Sequence, residues 1–267
     1  MLAIVNSCSL FGLIGTPIRV EVDVSAGLPA FDIVGLPDAA LKESRERVRT
    51  ALKNAGFEFP LQRITVNLAP ADVKKEGAGF DLPIALGILL ATGQIVPAYD
   101  LAMYAFAGAL SLEGTLQPIR GAMVMAASLY QKGMSNFVLP YANREEAACG
   151  KATVYGLHDL RELAGFLQNK IELAPTKVDL EQLLAEPSAD LPDMADVKGQ
   201  DGVKRALEIA AAGGHNIMLV GPPGSGKTML ARRLPSILPE LTLEESLELT
   251  RIYSVAGLLP EGQALIN

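Results

Sequence analysis

The stretch GPPGSGKT at residues 221–228 restricts the fold more than any other feature of this chain. It fills the pattern G-x-x-x-x-G-K-T, which works only where a strand runs into a tight loop and the loop into a helix. The apolar run Asn216–Val220 in front of it predicts the strand, and MLARRLPSIL behind it predicts the helix. Gly221, Gly224 and Gly226 leave backbone N–H groups free to wrap an anion at the positive end of that helix. Pro222, Pro223 and Ser225 complete the loop. Lys227 is expected to reach the β- and γ-phosphates of ATP, and the Thr228 hydroxyl to ligate Mg²⁺.

Turnover of a nucleotide needs more than a loop that holds it. A second strand ending in an acidic pair has to order Mg²⁺ and the attacking water, usually with an arginine from a neighbouring subunit. Residues 229–267 hold no apolar run ending in Asp-Glu. TLEESLELTRIYSVAG (242–257) instead predicts a helix with Thr242 and Glu245 as its capping box. The expectation is an incomplete, truncated ATPase domain that binds nucleotide without efficient hydrolysis and carries no catalytic residue of its own.

The preceding residues predict an α/β sandwich. In PIRVEVDV (17–24), Ile18, Val20, Val22 and Val24 alternate with charged residues, as in a half-buried strand. A second strand is expected around Phe31–Val34, then a helix capped by Asp38, running to Ala55 and closed by Gly56. RITVNL (63–68) predicts a strand, and GAGFDLPIALGILLATG a buried helix with Asp81 as its cap and Pro83 in its first turn. YAFAGAL (104–110) reads as one strand with a turn at Ser111–Thr115. Ala122–Lys132 reads as a helix ended by Gly133, and NFVLP as a strand. Asn143 and Glu146 form an expected capping box. TVYGLHDLREL gives a strand and a helix capped by Asp159, with Glu162 three residues on.

From Asn169 to Asp196 the texture turns acidic, with Pro175, Pro187 and Pro192, which predicts a linker with one short helix at Leu180–Leu184. The expected division is therefore a domain over 1–168, a linker over 169–195 and a second domain over 196–267.

No apolar run is long enough to cross a bilayer, and the N-terminus lacks the basic start and long apolar centre of a signal peptide, so no membrane partner and a cytoplasmic location are expected. Cys8 and Cys149 show no metal-ligand spacing and read as idle or buried thiols. The net charge of −7 is unlike a dedicated nucleic-acid binder, but a ring-shaped motor can confine its basic residues to a pore, so charge decides nothing about DNA. Lys42, Arg45, Arg47, Arg49 and Lys53 stud the first helix. With Glu43 and Glu46 among them, they read as a solvated face.

Three longer stretches carry a resemblance. VKGQDGVKRALEIAAAGGHNIMLVGPPGSGKTMLARRL resembles the magnesium-chelatase-like AAA+ ATPases. GLPAFDIVGLPDAALKESRERVR and NLAPADVKKEGAGFDLPIALGIL resemble the N-terminal domain of the ComM/YifB branch, so the resemblance covers essentially the whole chain. It implies a first domain with the α/β fold of the Lon protease catalytic domain, of the ribosomal S5 domain-2-like kind. It also implies the beginning of a P-loop AAA+ domain that assembles with itself into hexameric rings around ATP. By the same match Val197, Gly199 and Gln200 would help hold the adenine.

A Lon-like fold raises peptidase chemistry. Where Lon-type enzymes carry their serine in D-G-P-S-A-G, this chain has DLPIAL, which puts Ile84 there. LQPIRGAM puts Met123 at the place of their lysine base. Neither side chain can attack a carbonyl or accept its proton, so no protease is expected. Ser111 and Ser128 lie nearby in sequence, outside the motif. The branch points to an ATP-driven motor on DNA, acting in branch migration and natural transformation. A chelatase-type or protein-remodelling subunit is the alternative, and a module that only binds nucleotide or joins rings is a third.

Overall fold

Alternation in residues 17–24 becomes the middle of a long strand. The computed structural model describes residues 1–185, 192–260 and 262–267, and the part of the expected linker around Pro187 lies outside them. Strand β2 (Ile14–Ser25) buries Ile18, Val20, Val22 and Val24, and forms a hairpin with β1 (Leu2–Phe11) through a turn at Gly12, whose φ of 56° favours glycine. By contacts the chain separates into two units, Met1–Leu180 with Leu247–Ile266 and Glu181–Ser246 with Asn267.

In the first unit the chain continues through β3 (Ala30–Val34), helix α1 (Ala39–Asn54), β4 (Arg63–Ala69), helix α2 (Asp81–Ala91) and β5 (Tyr104–Phe106). Then come a two-stranded ribbon of β6 (Ala109–Leu110) and β7 (Leu116–Gln117), helix α3 (Ala122–Gln131), β8 (Asn136–Pro140), α4 (Arg144–Ala148), β9 (Thr153–Leu157) and α5 (Leu160–Leu167). Seven strands form one mixed sheet in the order β3-β4-β2-β1-β5-β8-β9. The β1/β2 and β2/β4 pairs are antiparallel and the other four are parallel. Successive residues of β5 and β8 face opposite sides. Phe106 and Val138 join the core under α1, α2 and α5, while Ala105, Phe137 and Leu139 join the core under α3. The unit is an α/β sandwich, as the mixture of strand and helix patterns predicts.

α1 begins as expected. Asp38 accepts a hydrogen bond from the Leu41 N–H at 2.7 Å, and Gly56 follows the helix with a φ of 86°. α2 is buried on almost every side, but Asp81 does not cap it. Its carboxylate, fully buried, takes a two-pronged bond from Arg47 (Nε at 2.8 Å, Nη2 at 3.1 Å) and a third from the Leu110 N–H. Arg47 accordingly leaves the solvated face of α1. Its guanidinium also donates to Ser44 Oγ and the Ala40 carbonyl, and the hydrogen bonds it gives Asp81 raise its pKa. A buried carboxylate needs such a partner, whereas a helix start can find its cap in water.

Two further expectations change. YAFAGAL is two strands, because the chain leaves the sheet after Phe106, and Gly108 sits so tightly that a Cβ would lie 3.1 Å from Leu116 and 3.3 Å from Pro140. Asn143 does not cap α4. Its amide bonds both the N–H and the carbonyl of Ile119 and meets Glu146, fixing the loop ahead of α3. The buried Glu146 carboxylate also accepts from the Met123 N–H and from the hydroxyl of Ser254, in the segment Leu247–Ile266 of the same unit. The remaining helix signals hold: α3 ends at Gly133, and Asp159 accepts from the Arg161 and Glu162 N–H groups at the start of α5.

Removing Arg47 leaves Asp81 charged and buried, so Arg47→Ala is expected to destabilise the unit by about 3 kcal/mol. Arg47→Met with Asp81→Leu should cost clearly less than Arg47→Ala with Asp81 intact. Urea melts of the single and double variants check both, and equal losses would show that the pair does not act as a unit.

Candidate nucleotide-binding site

The second unit contains α6 (Leu180–Ala185, from its second residue), α7 (Asp201–Gly213), α8 (Lys227–Ala231) and the start of α9 (Leu243–Ala256). A small apolar core holds it together. Met194, Val197, Leu207 and Leu230 are buried, with Val203, Leu219, Leu234 and Ile237 against them. Residues 216–220, expected as a strand, form no ladder, and no strand is present among the described residues of this unit. An apolar run becomes a strand only when neighbours take its N–H and C=O groups. Met218 and Val220 stand 83% exposed instead. The helix after the loop is shorter than MLARRLPSIL suggests, because the chain turns at Arg232–Arg233 and continues as a 3-10 turn, Leu234–Ile237, with Pro235 in it.

The loop itself closes as its residues predict. Gly224 and Gly226 have φ of 79° and 82°, open only to glycine without strain, and Gly226 precedes α8. A Cβ at Gly221 would lie 3.0 Å from Ser225 Oγ. The Lys227 ammonium folds into the loop, donating to the carbonyls of Gly221 (2.9 Å) and Pro222 (2.8 Å) and to Ser225 Oγ (3.2 Å). Thr228 is exposed in the first turn of α8, and Pro222, Pro223 and Gly224 are exposed on the loop. The loop thus gathers backbone N–H groups, the ammonium and the Thr228 hydroxyl within eight residues.

The three residues carried over by resemblance divide. Gln200 comes to the loop: its side-chain amide donates to the Ser225 carbonyl at 3.3 Å. It does so from a left-handed backbone with φ of 58°, an uncommon state for glutamine, next to Gly199 at 67°. Val197 is buried in the small core and positions the segment, and its carbonyl accepts from Lys204. Gly199 is exposed and supplies the turn. Arg233, which the sequence reading passed over, fastens the same segment. Its guanidinium bonds the Asp193 carbonyl (2.9 Å), Asp196 (3.3 Å) and the Met229 carbonyl (3.3 Å). An arginine six residues after the loop lysine, with the acidic stretch ahead of the loop to pair with, was the available signal. Thr242 and Glu245 form the expected box, bonding each other's N–H, and the bonds that the Glu245 carboxylate accepts from the Thr242 N–H and hydroxyl hold it below its usual range.

Other reactive side chains have structural partners. Ile84 and Met123 are fully buried. Ser111 shares a hydrogen bond with Thr115 at 2.6 Å, and Ser128 accepts from the Gly15 N–H at 3.0 Å. Lys75 is buried with its ammonium on the Pro70 carbonyl, and burial lowers its pKa. No cluster of metal-ligating side chains is found, and no helix is long and apolar enough to cross a membrane, among the described residues.

Comparison with known proteins gives a consistent likeness. The family described as subunit ChlI of Mg-chelatase matches residues 20–143, and that described as magnesium chelatase, subunit ChlI, matches residues 193–267. An uncharacterized protein YifB of Salmonella typhimurium is 44% identical over 256 residues, 96% of this chain and 50% of that protein. Competence protein ComM of Haemophilus influenzae is 42% identical over 257 residues, 95% of this chain and 50% of that protein. An archaeal Lon protease of Archaeoglobus fulgidus is 43% identical over 51 residues, 19% of this chain. The chain thus spans about half the length of the YifB and ComM relatives it matches.

Burial pushes the thiols of Cys8 and Cys149 up to about 12, and both are free. At pH 8, well below that value, the folded chain should therefore show almost no reaction with a thiol-specific disulfide reagent. Both cysteines should react once guanidinium unfolds it. Rapid labelling of either one in the native chain would contradict the burial.

Proposed function

The chain belongs to the ComM/YifB family of magnesium-chelatase-like proteins, and from that membership we propose that it is the nucleotide-binding part of an ATP-driven motor acting on DNA. The observation that carries the nucleotide half is the loop at 221–228, with Lys227 held among its carbonyls and Gln200 against Ser225. Lys227 would exchange the Gly221 and Pro222 carbonyls for phosphate oxygens, anionic acceptors in place of neutral ones. The N–H groups of Gly224, Ser225 and Gly226 would take the remaining phosphate oxygens, and Val197, Gly199 and Gln200 would line the base side. Mg²⁺, once bound, would offset the phosphate charge, with the Thr228 hydroxyl as its protein ligand.

The DNA half rests on kinship. One relative's name contains the word competence, and extending it to this chain gives a role in DNA processing during natural transformation, by branch migration of recombining strands. In this reading residues 1–168 are a non-proteolytic Lon-like platform, 169–195 a linker and 196–267 the beginning of an AAA+ domain. The whole protein would form a hexameric ring in the cytoplasm. The described residues 229–260 and 262–267 contain no strand, so the acidic strand end that hydrolysis requires is not supplied by them. Nucleotide binding without efficient turnover is the activity proposed for these residues. The family descriptions, which name a chelatase subunit, favour a metal-insertion or protein-remodelling subunit as the second reading.

Substituting Lys227 decides the first point. Lys227→Ala removes a charged donor, about 2–3 kcal/mol, and is expected to weaken binding of a fluorescent ATP analogue roughly 30- to 160-fold with the melting temperature unchanged. Undiminished affinity would move the site elsewhere. For the whole protein, ATP turnover that rises on adding single-stranded DNA supports the motor, and turnover that responds only to porphyrin and partner subunits supports the chelatase reading.

A further inference from the structure

Three basic side chains of α1 do not behave as a scattered solvated face. Lys42, Arg45 and Arg49 are exposed and lie at i, i+3 and i+7, which places them in one row along the helix. The row faces the sheet's edge strand β3, where it meets two hollows that share Arg45, of about 330 Å³ and 260 Å³. Arg63, at the start of β4, enters the first hollow, and Phe31 and Phe59 line the second with ring centroids 5.9 Å apart. Arg49 stands over the Phe59 ring at 5.7 Å.

The charge balance is local and positive. Four cations converge on the two hollows against Asp32 and Glu46, in a chain whose net charge is −7. Asp32 reaches Arg63 only at 3.8 Å, with both side chains more than half or half exposed, a pair that water screens and a stronger anion displaces. The surface is also apolar where a solvated face would not be. Leu28 and Leu61 flank it, 88% and 78% exposed. Phe31 and Phe59 are each half-buried, so each ring keeps an exposed part.

We propose that this surface binds a single strand of nucleic acid, with phosphates along the Lys42–Arg45–Arg49 row and bases against Phe31, Phe59 and the flanking leucines. Cations in a row beside aromatic rings are what a single strand needs, because every base has a face to stack and every link a phosphate to neutralise. An acidic peptide would use the cations but not the rings. Its usual way onto a sheet edge is to add a strand, and here Arg45 already donates to the Phe31 carbonyl on that edge. The inference deepens the DNA-processing reading and rests on it for the choice of strand. Its residues belong to the first unit and the phosphate loop to the second.

The test uses the full chain and a fluorescein-labelled 20-nucleotide oligo-dT, read by anisotropy across a salt series. Arg45→Ala with Arg49→Ala should weaken binding more than tenfold and lower the slope of log K against log salt by about 1.4, roughly 0.7 for each lost phosphate contact on a single strand. Lys132→Ala with Lys151→Ala changes the net charge equally at exposed sites away from the groove and should shift affinity less than threefold. Phe59→Leu should weaken binding at every salt concentration and leave the slope unchanged. Should the alanine pair melt early, Arg45→Gln with Arg49→Gln replaces it.

No binding by the wild-type chain, affinity within twofold of wild type in the arginine variant, or an equal loss in the lysine control would each overturn the proposal. So would competition by a polyglutamate peptide at lower concentration than unlabelled oligo-dT, which would assign the surface to a protein. Lys227→Ala separates the two readings. Oligo-dT binding that survives there while ATP binding is lost supports the groove independently of the nucleotide. ATP binding intact alongside unaltered oligo-dT binding in the arginine variant sinks the groove alone.

Discussion

The first unit is built around a helix with no polar side. Ten of the eleven residues of α2 are buried, so the chain has to cover it all round, with the β1/β2 hairpin on one side and α1 on the other. Gly87 sets how close the hairpin comes. A Cβ there would lie 2.4 Å from Val22, and any side chain would push helix and sheet apart. The only charge on α2, Asp81, is then in the dry and needs a matched cation. Arg47 on α1 is the residue that packing brings within reach. One steric choice thus decides the sheet's spacing, the position of α1 and the fate of one of its arginines.

That chain of consequences marks what the sequence reveals and what it hides. β2, α1, β4, α5 and α9 are legible because their signals are local: alternation, an Asp or Thr before an amphipathic run, a glycine after it. Strand β1 is not, because it lies inside the sheet with both faces covered, and Ser7 and Ser9 are buried beside Val5 and Cys8, which erases the alternation. Asp81 and Asn143 look like caps and hold other partners. A cap and a tertiary anchor need the same residue type at the same place, and only the approach of Arg47 or of the Ile119 loop chooses between them. YAFAGAL reads as continuous because nothing in it announces how closely Gly108 must approach Leu116 and Pro140.

At the phosphate loop the division is sharper. The loop is written in residue types, and the positive φ of Gly224 and Gly226 and the inward turn of Lys227 follow from them directly. Gln200 comes to Ser225 from 25 residues earlier in the chain, which no spacing rule could have found and which resemblance supplied. The strand at 216–220 fails for the opposite reason. Its apolar residues carry the propensity, but a strand is a relation between chains of backbone groups, and propensity supplies only one partner.

Charge is the property for which whole-chain arithmetic misleads most. A net value of −7 averages the acidic run from Asn169 to Asp196 with the basic row on α1. A charged ligand does not see that average, because fields fade over about 8–10 Å at ordinary ionic strength and the ligand feels only the nearest side chains. Which side chains those are is settled by packing. Of the five basic residues on α1, Arg47 is committed to Asp81, while Lys42, Arg45 and Arg49 remain outside on one face. The same helix therefore anchors the core with Arg47 and presents a cationic edge with Lys42, Arg45 and Arg49, and the difference between those roles is a rotation of about one hundred degrees per residue around its axis.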